Sequence, residues 1–339
     1  MRGRGVERTY LDLAYYLQEL GCRVDLILRE AEITLDVSAI THMHILSSKS
    51  TPQKSDELYE LLNRLHHEMP IDLIVSSNVS FLKKSGFLHP RIFYTVNMSW
   101  GYRLLKRLRL RKYLQVRKEY HRQKVIAVSK GVAYDLLHLL RIKPARIDVI
   151  YDPYDIDAIR QKAAAKILLP ASRPYIVHVG AFDKIKRHDI LLKAFALLKE
   201  DIDLYLIGEG KREQKIKKLC KKLGLCDRVY FLGWQDNPYA YIKQAKATVL
   251  SSESEALPRV LIESLIVGTT AVSTDCKFGP SEILNEGLQS YLAKVNDPRS
   301  LAEKISYALQ TPADIKPVHF ERFSKEVIVG KYLNLIDID

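Results

Sequence analysis

Two glutamates lie eight residues apart in the stretch Ser251-Ser252-Glu253-Ser254-Glu255-Ala256-Leu257-Pro258-Arg259-Val260-Leu261-Ile262-Glu263. The apolar run Ala247–Leu250 enters this stretch as a strand would, and Pro258 suits the first turn of a helix. Val260, Leu261, Leu265 and Ile266 give that helix a buried face. Glu255 then falls in the strand-to-helix turn, and Glu263 falls inside the helix. The backbone N–H groups of Ala256 and Leu257 come close to the helix N-terminus, where a phosphate is favoured. Two carboxylates flanking a phosphate position can hold hydroxyls at both ends of a sugar nucleotide. On spacing alone, a capped helix with one solvated glutamate explains the same residues.

The surrounding elements form a series. Tyr175–Gly180 reads as a strand ending in glycine, and a helix is expected over 185–199. A strand over Leu204–Gly208 and a helix over Lys211–Leu223 come next. Val229–Gly233, Ala247–Leu250 and Thr270–Ser273 continue the rhythm with helices between them, as a doubly wound domain would. An earlier series has a helix over 6–20, with Leu13, Leu17 and Leu20 inward and Gly21 as its stop. Strands are expected at Arg23–Leu28, His44–Leu46, Ile71–Val75, Ile92–Val96, Val125–Val128 and Ile147–Ile150, with a helix at 55–67. The expected division is 1–160, 161–319 and a C-terminal helix in 320–339 that returns to the first domain. In open α/β sheets ligands bind beyond the carboxyl ends of the strands. That places Gly180–Arg187, Gly208–Arg212, Gly233–Pro238, Ser251–Glu263 and Asp275–Glu282 as site segments.

The 339 residues suffice for two domains, and at 47% hydrophobic each can build a core. Cys22, Cys220, Cys226 and Cys276 have no paired or metal-ligand spacing, which suits a reducing compartment. No apolar run approaches the roughly 18 residues of a membrane span. No apolar core follows Arg2 and Arg4 as a signal peptide requires. The expectation is a soluble or peripheral protein. A formal net charge of +13 suits nucleic acid, anionic lipid or phosphorylated substrates without choosing among them.

These residues resemble the retaining glycosyltransferases of family 4, which have the GT-B fold of two Rossmann-like domains facing across a cleft. Glu255 and Glu263 fit the family's E-x7-E motif, with Glu255-Ala256-Leu257-Pro258 where many members have E-G-F-P. Ser273–Cys276, Gly279–Leu284 and Asn237–Lys243 resemble a subgroup rich in bacterial enzymes of lipopolysaccharide, O-antigen or capsule synthesis. Val128–Val132 and Tyr151–Asp155 resemble the family's interdomain region. The resemblance implies metal-independent transfer with no cofactor, the nucleotide sugar being a co-substrate, at the cytoplasmic membrane face. The donor it points to is a UDP-linked hexose or N-acetylhexosamine. The acceptor is a sugar hydroxyl on a glycan or lipid-linked precursor.

Carried over by position, the resemblance makes Lys186 the cation for the leaving diphosphate, with Arg187 in support. The family's arginine five residues earlier is Ala181 here. Glu255 inherits the donor sugar and Glu263 the ribose. Gly180, Gly208 and Gly210 match donor-side loops, and the backbone near Leu232 and Gly233 lies near the base. Ala256 and Leu257 supply amides. In the first domain, Gly3 and Gly5 look like the end of a glycine-rich loop, but only Met1–Arg4 precede it. The family's first strand is therefore missing from this sequence, because either the start lies too far downstream or the protein lacks the strand. Asn97 stands where many members carry a histidine, and His89 and His121 read as surface or structural residues.

The stretch 103–124 is strongly basic with interleaved leucines, which suits a helix lying on an anionic membrane or receiving a phosphorylated acceptor. A solvated helix packed by its leucines is the plainer reading. Nucleic acid is disfavoured because no recognition motif accompanies the charge. Asp-x-Asp pairs at Asp155/Asp157, Asp201/Asp203 and Asp337/Asp339 are too short and common to indicate a metal. Two further alternatives remain: a nucleotide-sugar epimerase or hydrolase on this fold, and a non-catalytic nucleotide-sugar-binding protein.

Overall fold

The computed structural model describes residues 5–29, 36–106 and 109–336. Gly3, the Asp337/Asp339 pair and residues 107–108 of the basic stretch lie outside them. The chain divides into two compact units, Met1–Tyr154 with Phe323–Asp339 and Asp155–Arg322.

The first unit starts with α1 (Gly5–Glu19), whose Leu13 and Ala14 are buried. Leu20, expected inward, is 63% exposed, because the helix ends one residue earlier and Gly21 turns the chain at φ 81°. β1 (Asp25–Leu28) pairs in parallel with β2 (His42–Ile45). α2 (Thr51–Glu68) begins four residues before the expected 55, since Ser50 and Gln53 form a reciprocal capping box with Pro52 in the first turn. β3 (Ile74–Ser76), α3 (Val79–Ser85), β4 (Ile92–Val96), α4 (Trp100–Lys106), α5 (Leu110–Tyr120), β5 (Lys124–Ala127), α6 (Lys130–Tyr134) and β6 (Arg146–Val149) follow. The basic stretch is thus two short helices rather than one. β3-β4-β5-β6 form a second parallel sheet, separate from the β1–β2 pair. Between β1 and β3 lies a cavity of about 840 Å³ whose lining includes Leu13, Leu17, Leu58 and Leu62.

The second unit contains α7 (Ile156–Ala163), β7 (Tyr175–Val179), α8 (His188–Phe195), β8 (Asp203–Ile207), α9 (Glu213–Lys222) and β9 (Val229–Gly233). Then come α10 (Pro238–Gln244), β10 (Ala247–Leu250), α11 (Arg259–Ile266), β11 (Ala271–Thr274), α12 (Pro280–Ile283), β12 (Leu292–Ala293) and α13 (Pro298–Gln310). One continuous parallel sheet runs β12-β11-β10-β7-β8-β9. All five residues of β8 and all four of β10 are buried. The unbroken apolar runs reflect helices covering both faces.

α8 starts at His188 and not at the expected 185. The Asp183 carboxylate takes the N–H groups of Ile185 and Lys186, and Arg187 sits in the left-handed region at φ 49°. The chain re-enters the first unit through a 3-10 turn at Glu321–Phe323, and α14 (Lys325–Leu333) is shorter than the helix expected from 320. Ser324 caps it, and Lys325 reaches Glu19 of α1 at 3.1 Å.

Candidate active site

In the second unit, β7 and β10 are hydrogen-bonded neighbours, so the loops that leave their carboxyl ends meet. They bring together residues 69 positions apart. Lys186 Nζ donates to Glu255 Oε1 at 2.7 Å, and Ser252 Oγ donates to the same oxygen at 2.5 Å. The side chains of Lys186 and Glu255 are 22% and 13% exposed. Burial works against the Lys186 ammonium, but the adjacent Glu255 carboxylate outweighs it and holds its pKa above the ordinary value. The pair is a charged, half-sheltered arrangement.

The backbone fixes this pair from several sides. Ser251 Oγ donates to the Lys186 carbonyl at 2.7 Å, and Glu253 N donates to the Ile185 carbonyl at 2.8 Å. Thr274 Oγ1, at the end of β11, donates to the Ser252 carbonyl at 2.6 Å. The buried Cys276 thiol is bonded to the Glu255 backbone, and burial followed by the Glu255 charge pushes its pKa up. Ser251, Ser252, Asp183, Thr274 and Cys276 had no assigned role in the sequence reading. Ser251 and Ser252 stood inside the quoted stretch, but nothing in spacing says which carboxylate a serine will meet.

The glycines bring two loops into direct backbone contact. A Cβ on Gly208 would sit 2.3 Å from the Gly180 carbonyl oxygen, and one on Gly210 would sit 2.7 Å from the Phe182 carbonyl oxygen. Gly208 and Gly210 have φ of 130° and 159°. Gly208 N donates to the Gly233 carbonyl at 2.8 Å, and Phe182 N donates to the Glu209 carbonyl at 2.9 Å. Leu232 offers its carbonyl to Gln235 Nε2 at 2.8 Å. Gly180 lies under the Lys186 stem, its virtual Cβ 3.6 Å from Lys186 Cδ and Cε. Gly279 plays the same part for the next loop: a Cβ there would meet Pro258 Cδ at 2.6 Å and the Ala256 carbonyl oxygen at 3.0 Å.

Ala256 and Leu257 directly precede Pro258, which caps α11 in an extended conformation. Glu263 sits in α11, nearly buried, 3.7 Å from Arg259 Nε one turn earlier. Arg187, expected to support Lys186, is bonded within the second unit. Its guanidinium forks onto Asp189 with both bonds at 3.0 Å, reaches Glu253 at 3.8 Å and donates to Asn296. These partners bind the guanidinium to its own protein framework, whereas the Lys186 ammonium points at Glu255.

Beneath Lys186 lie two buried imidazoles. His178 Nδ1 donates to the Val249 carbonyl at 2.8 Å, with its ring 4.5 Å from that of His188. His188 stacks on Phe182 at 4.3 Å. Burial pulls their pKa values down to about 4 and about 2, so both rings are neutral near pH 7.

The first-unit candidates are placed separately. Gly5 is the first residue of α1. Asn97 follows β4 and its amide donates to Thr95 Oγ1 at 3.5 Å, while Thr95 Oγ1 also bonds the Tyr10 hydroxyl. His89 accepts from Arg91 N at 3.2 Å and His121 caps α5. Asp155 caps α7, and Asp201 and Asp203 pair with Arg173 at 3.5 and 3.0 Å. Among the described residues no group of three or more His, Cys, Asp or Glu could hold a metal ion. No described helix is long and apolar enough to cross a membrane.

Two α/β units with parallel sheets are the GT-B fold of the glycosyltransferases. The chain belongs to glycosyltransferase family 4: a family model described as "Glycosyltransferase Family 4" matches residues 3–158, and one described as "Glycosyl transferases group 1" matches residues 159–327. It is 33% identical over 186 residues to the N-acetylgalactosamine-N,N'-diacetylbacillosaminyl-diphospho-undecaprenol 4-alpha-N-acetylgalactosaminyltransferase of Campylobacter jejuni, covering 55% of this chain and 50% of that protein. It is 27% identical over 231 residues to the lipopolysaccharide 1,6-galactosyltransferase of Salmonella typhimurium, covering 64% and 61%. The chain spans about half the length of the first of these curated relatives. The crystal structure of Anabaena Alr3699/HepE in complex with UDP superposes with a TM-score of 0.80 at 18% identity, covering 98% of this chain and 96% of that one. At that identity the likeness is one of fold.

Proposed function

We propose that the protein transfers a hexose or N-acetylhexosamine from a UDP-linked donor to a sugar hydroxyl of a bacterial surface-glycan precursor, with retention at the anomeric carbon. The observation that carries this reading is the Lys186 ammonium on the Glu255 carboxylate at 2.7 Å, beside the amides that precede α11. The relatives' names supply the nucleotide and the acceptor class: HepE was crystallised with UDP, and two relatives act on an undecaprenyl-linked glycan and on lipopolysaccharide.

In this mechanism the developing diphosphate draws on the Lys186 ammonium, a cation already placed and partly desolvated. Glu255 accepts hydrogen bonds from donor-sugar hydroxyls, and Glu263 accepts from the ribose. The glycine loops at Gly208, Gly210 and Gly233 let backbone approach the base, near Leu232. The Ala256 and Leu257 amides face the phosphates. The acceptor proton passes to the leaving diphosphate on the same face of the sugar, and Lys186 supplies the positive charge there without a metal. Arg187 and Gly180 act by shaping the loop that carries Lys186, and Gly5 stands in the first unit as the phosphate-side candidate there.

The test is a panel of UDP-sugars assayed with a lipid-linked or lipopolysaccharide acceptor, with products read by NMR for anomeric configuration. Lys186→Ala is expected to lower turnover by on the order of a hundredfold or more with unchanged circular dichroism. Near-normal turnover in that variant would remove Lys186 from the mechanism, and an inverted product would overturn retention.

The same reading places the protein at the cytoplasmic face of the inner membrane. α5 buries Val116 and Tyr120, and leaves Leu110 and Leu114 exposed beside Arg111, Arg117 and Lys118. An apolar pair rimmed by cations suits an anionic bilayer surface. Leu110→Glu with Leu114→Glu is expected to abolish co-sedimentation with anionic vesicles. Equal binding of the wild type to neutral and anionic vesicles would refute the electrostatic part.

A further inference from the structure

In the second unit, the loop that carries Lys186 begins and ends at a histidine. His178 lies in β7, two residues before Gly180, and His188 follows Arg187 as the first residue of α8. Both are buried, at 0% and 1% exposed. Their rings meet edge to face at an interplanar angle of 71°, so side chains close the base of the loop. Phe182, within the loop, stacks on the other face of His188.

β7 and β10 part before either strand ends. β7 stays paired with β8 as far as Val179, and β10 stays paired with β11 as far as Leu250. Their own register stops at Val177 and Thr248. The winding reverses between these two strands, with β8 and β9 on one side and β11 and β12 on the other, and an open α/β sheet forms its ligand crevice at such a place. Beyond the last ladder pair, His178 Nδ1 donates to the Val249 carbonyl at 2.8 Å. A side chain therefore joins the strands where their backbones have stopped doing so. Val249 leads in two residues to Ser251, which holds the Lys186 carbonyl, and then to Glu255. The same ring supports the Lys186 loop from below. Its Nε2 is 3.2 Å from a Cβ placed on Gly180, and Lys186 Cδ and Cε are 3.6 Å from that point.

Packing alone does not account for an imidazole in this place. A carbonyl only accepts, so the proton of the neutral His178 ring is on Nδ1 and Nε2 is bare. That buried Nε2 has no hydrogen-bond partner among the described residues. Burying an unpaired acceptor costs free energy that a leucine of similar size would not. We infer that His178 is a positioning residue for the Lys186–Glu255 pair: its ring ties the Lys186 loop to the strand that delivers Glu255, and His188 holds that ring from the far end of the loop. His178 acts on a bound donor only through Lys186. Its effect on turnover rests on the proposed reaction, whereas its effect on the two loops does not.

The experiment compares the wild type with His178→Leu, His178→Asn and His178→Gln. Leucine fills the space without a donor. The asparagine amide restores a donor where Nδ1 lies, and the glutamine amide sits one bond too far out. The first readout is hydrogen exchange at the Glu253 amide, whose bond to the Ile185 carbonyl joins the two loops and needs no substrate. The second is kcat and KM for a UDP-sugar that the wild type turns over. In the leucine and glutamine variants Glu253 is expected to exchange faster by on the order of tenfold. Their kcat is expected to fall by on the order of tenfold with KM within about twofold, because Lys186 meets charge that develops only in the transition state. The asparagine variant is expected to recover most of both losses, and Tm in the leucine variant is expected to stay at or above that of the wild type. Wild-type exchange at Glu253 in the leucine and glutamine variants overturns the inference, and so does equal behaviour of asparagine and glutamine. A wild type that turns over no UDP-sugar refutes the proposed reaction instead, and Glu253 exchange then decides the role of His178 by itself.

Discussion

The two units share a winding and differ at its centre. In the second, the central strand β7 is flanked on both sides, Ile176 and Val177 are fully buried, and its exit loop carries Lys186. In the first, a cavity lies between two separate parallel sheets of two and four strands. A parallel sheet depends on its central strand for two things at once. That strand supplies apolar surface that helices on both faces can cover, and the loop at its carboxyl end comes nearest the switch point where ligands bind. The unit with its centre filled is the one that assembles Lys186, Glu255 and the glycine loops.

Substitutions can break or sharpen this contrast. The largest effect is expected where backbones touch. Gly208→Ala forces a Cβ to 2.3 Å from the Gly180 oxygen at a φ of 130°, so the loops must part. Urea unfolding is expected to report a loss of roughly 3 kcal/mol or more, together with weakened UDP binding in a thermal-shift titration. Unchanged UDP binding would mean that the loop contact does not serve the site.

Next comes pH. His178 and His188 have folded pKa values below the ordinary value of about 6.5, so the unfolded chain binds the extra protons. Their contribution is therefore complete above about pH 6.5 and declines as pH falls, by about 1.4 kcal/mol per pH unit for each ring. The decline slows near pH 4, where His178 itself takes a proton. Guanidinium midpoints at pH 7.5, 6 and 5 should fall along this slope, and His188→Phe should flatten it. A pH-independent midpoint over this range would contradict the assigned burial.

The most direct comparison of the sheets is a pair of leucine truncations. Leu204→Ala in β8, where the side chain is fully buried, is expected to cost about 3 kcal/mol. Leu26→Ala in β1, half-buried beside the existing cavity, is expected to cost about 1 kcal/mol. Equal losses in chemical denaturation would show that the first unit is packed as tightly as the second.

Much of the fold was legible in the residues because parallel strands covered on both faces leave unbroken apolar runs: Tyr175–Val179, Asp203–Ile207 and Ala247–Leu250 all read correctly as strands. Helix ends were less legible, since they depend on single side-chain bonds. The Ser50–Gln53 box moved the start of α2 earlier, and Asp183 with the left-handed Arg187 moved the start of α8 later. Leu20 fitted an inward pattern, but the helix that would have turned it inward stops before it.

What the sequence alone determined is local. It placed Glu255 in a turn and Glu263 in a helix, and it put glycines at strand ends. Periodicity and spacing carry that information because they act over a few residues. The tertiary structure decided which distant groups meet. It set Lys186 against Glu255, steadied by Ser252 and Thr274, and it bound Arg187 to Asp189 and Asn296. It also put a cavity between the two sheets of the first unit and a strand at the centre of the single sheet of the second. Strand order makes these contacts, and strand order is set by how whole elements cover one another's apolar faces, which no short window of sequence contains.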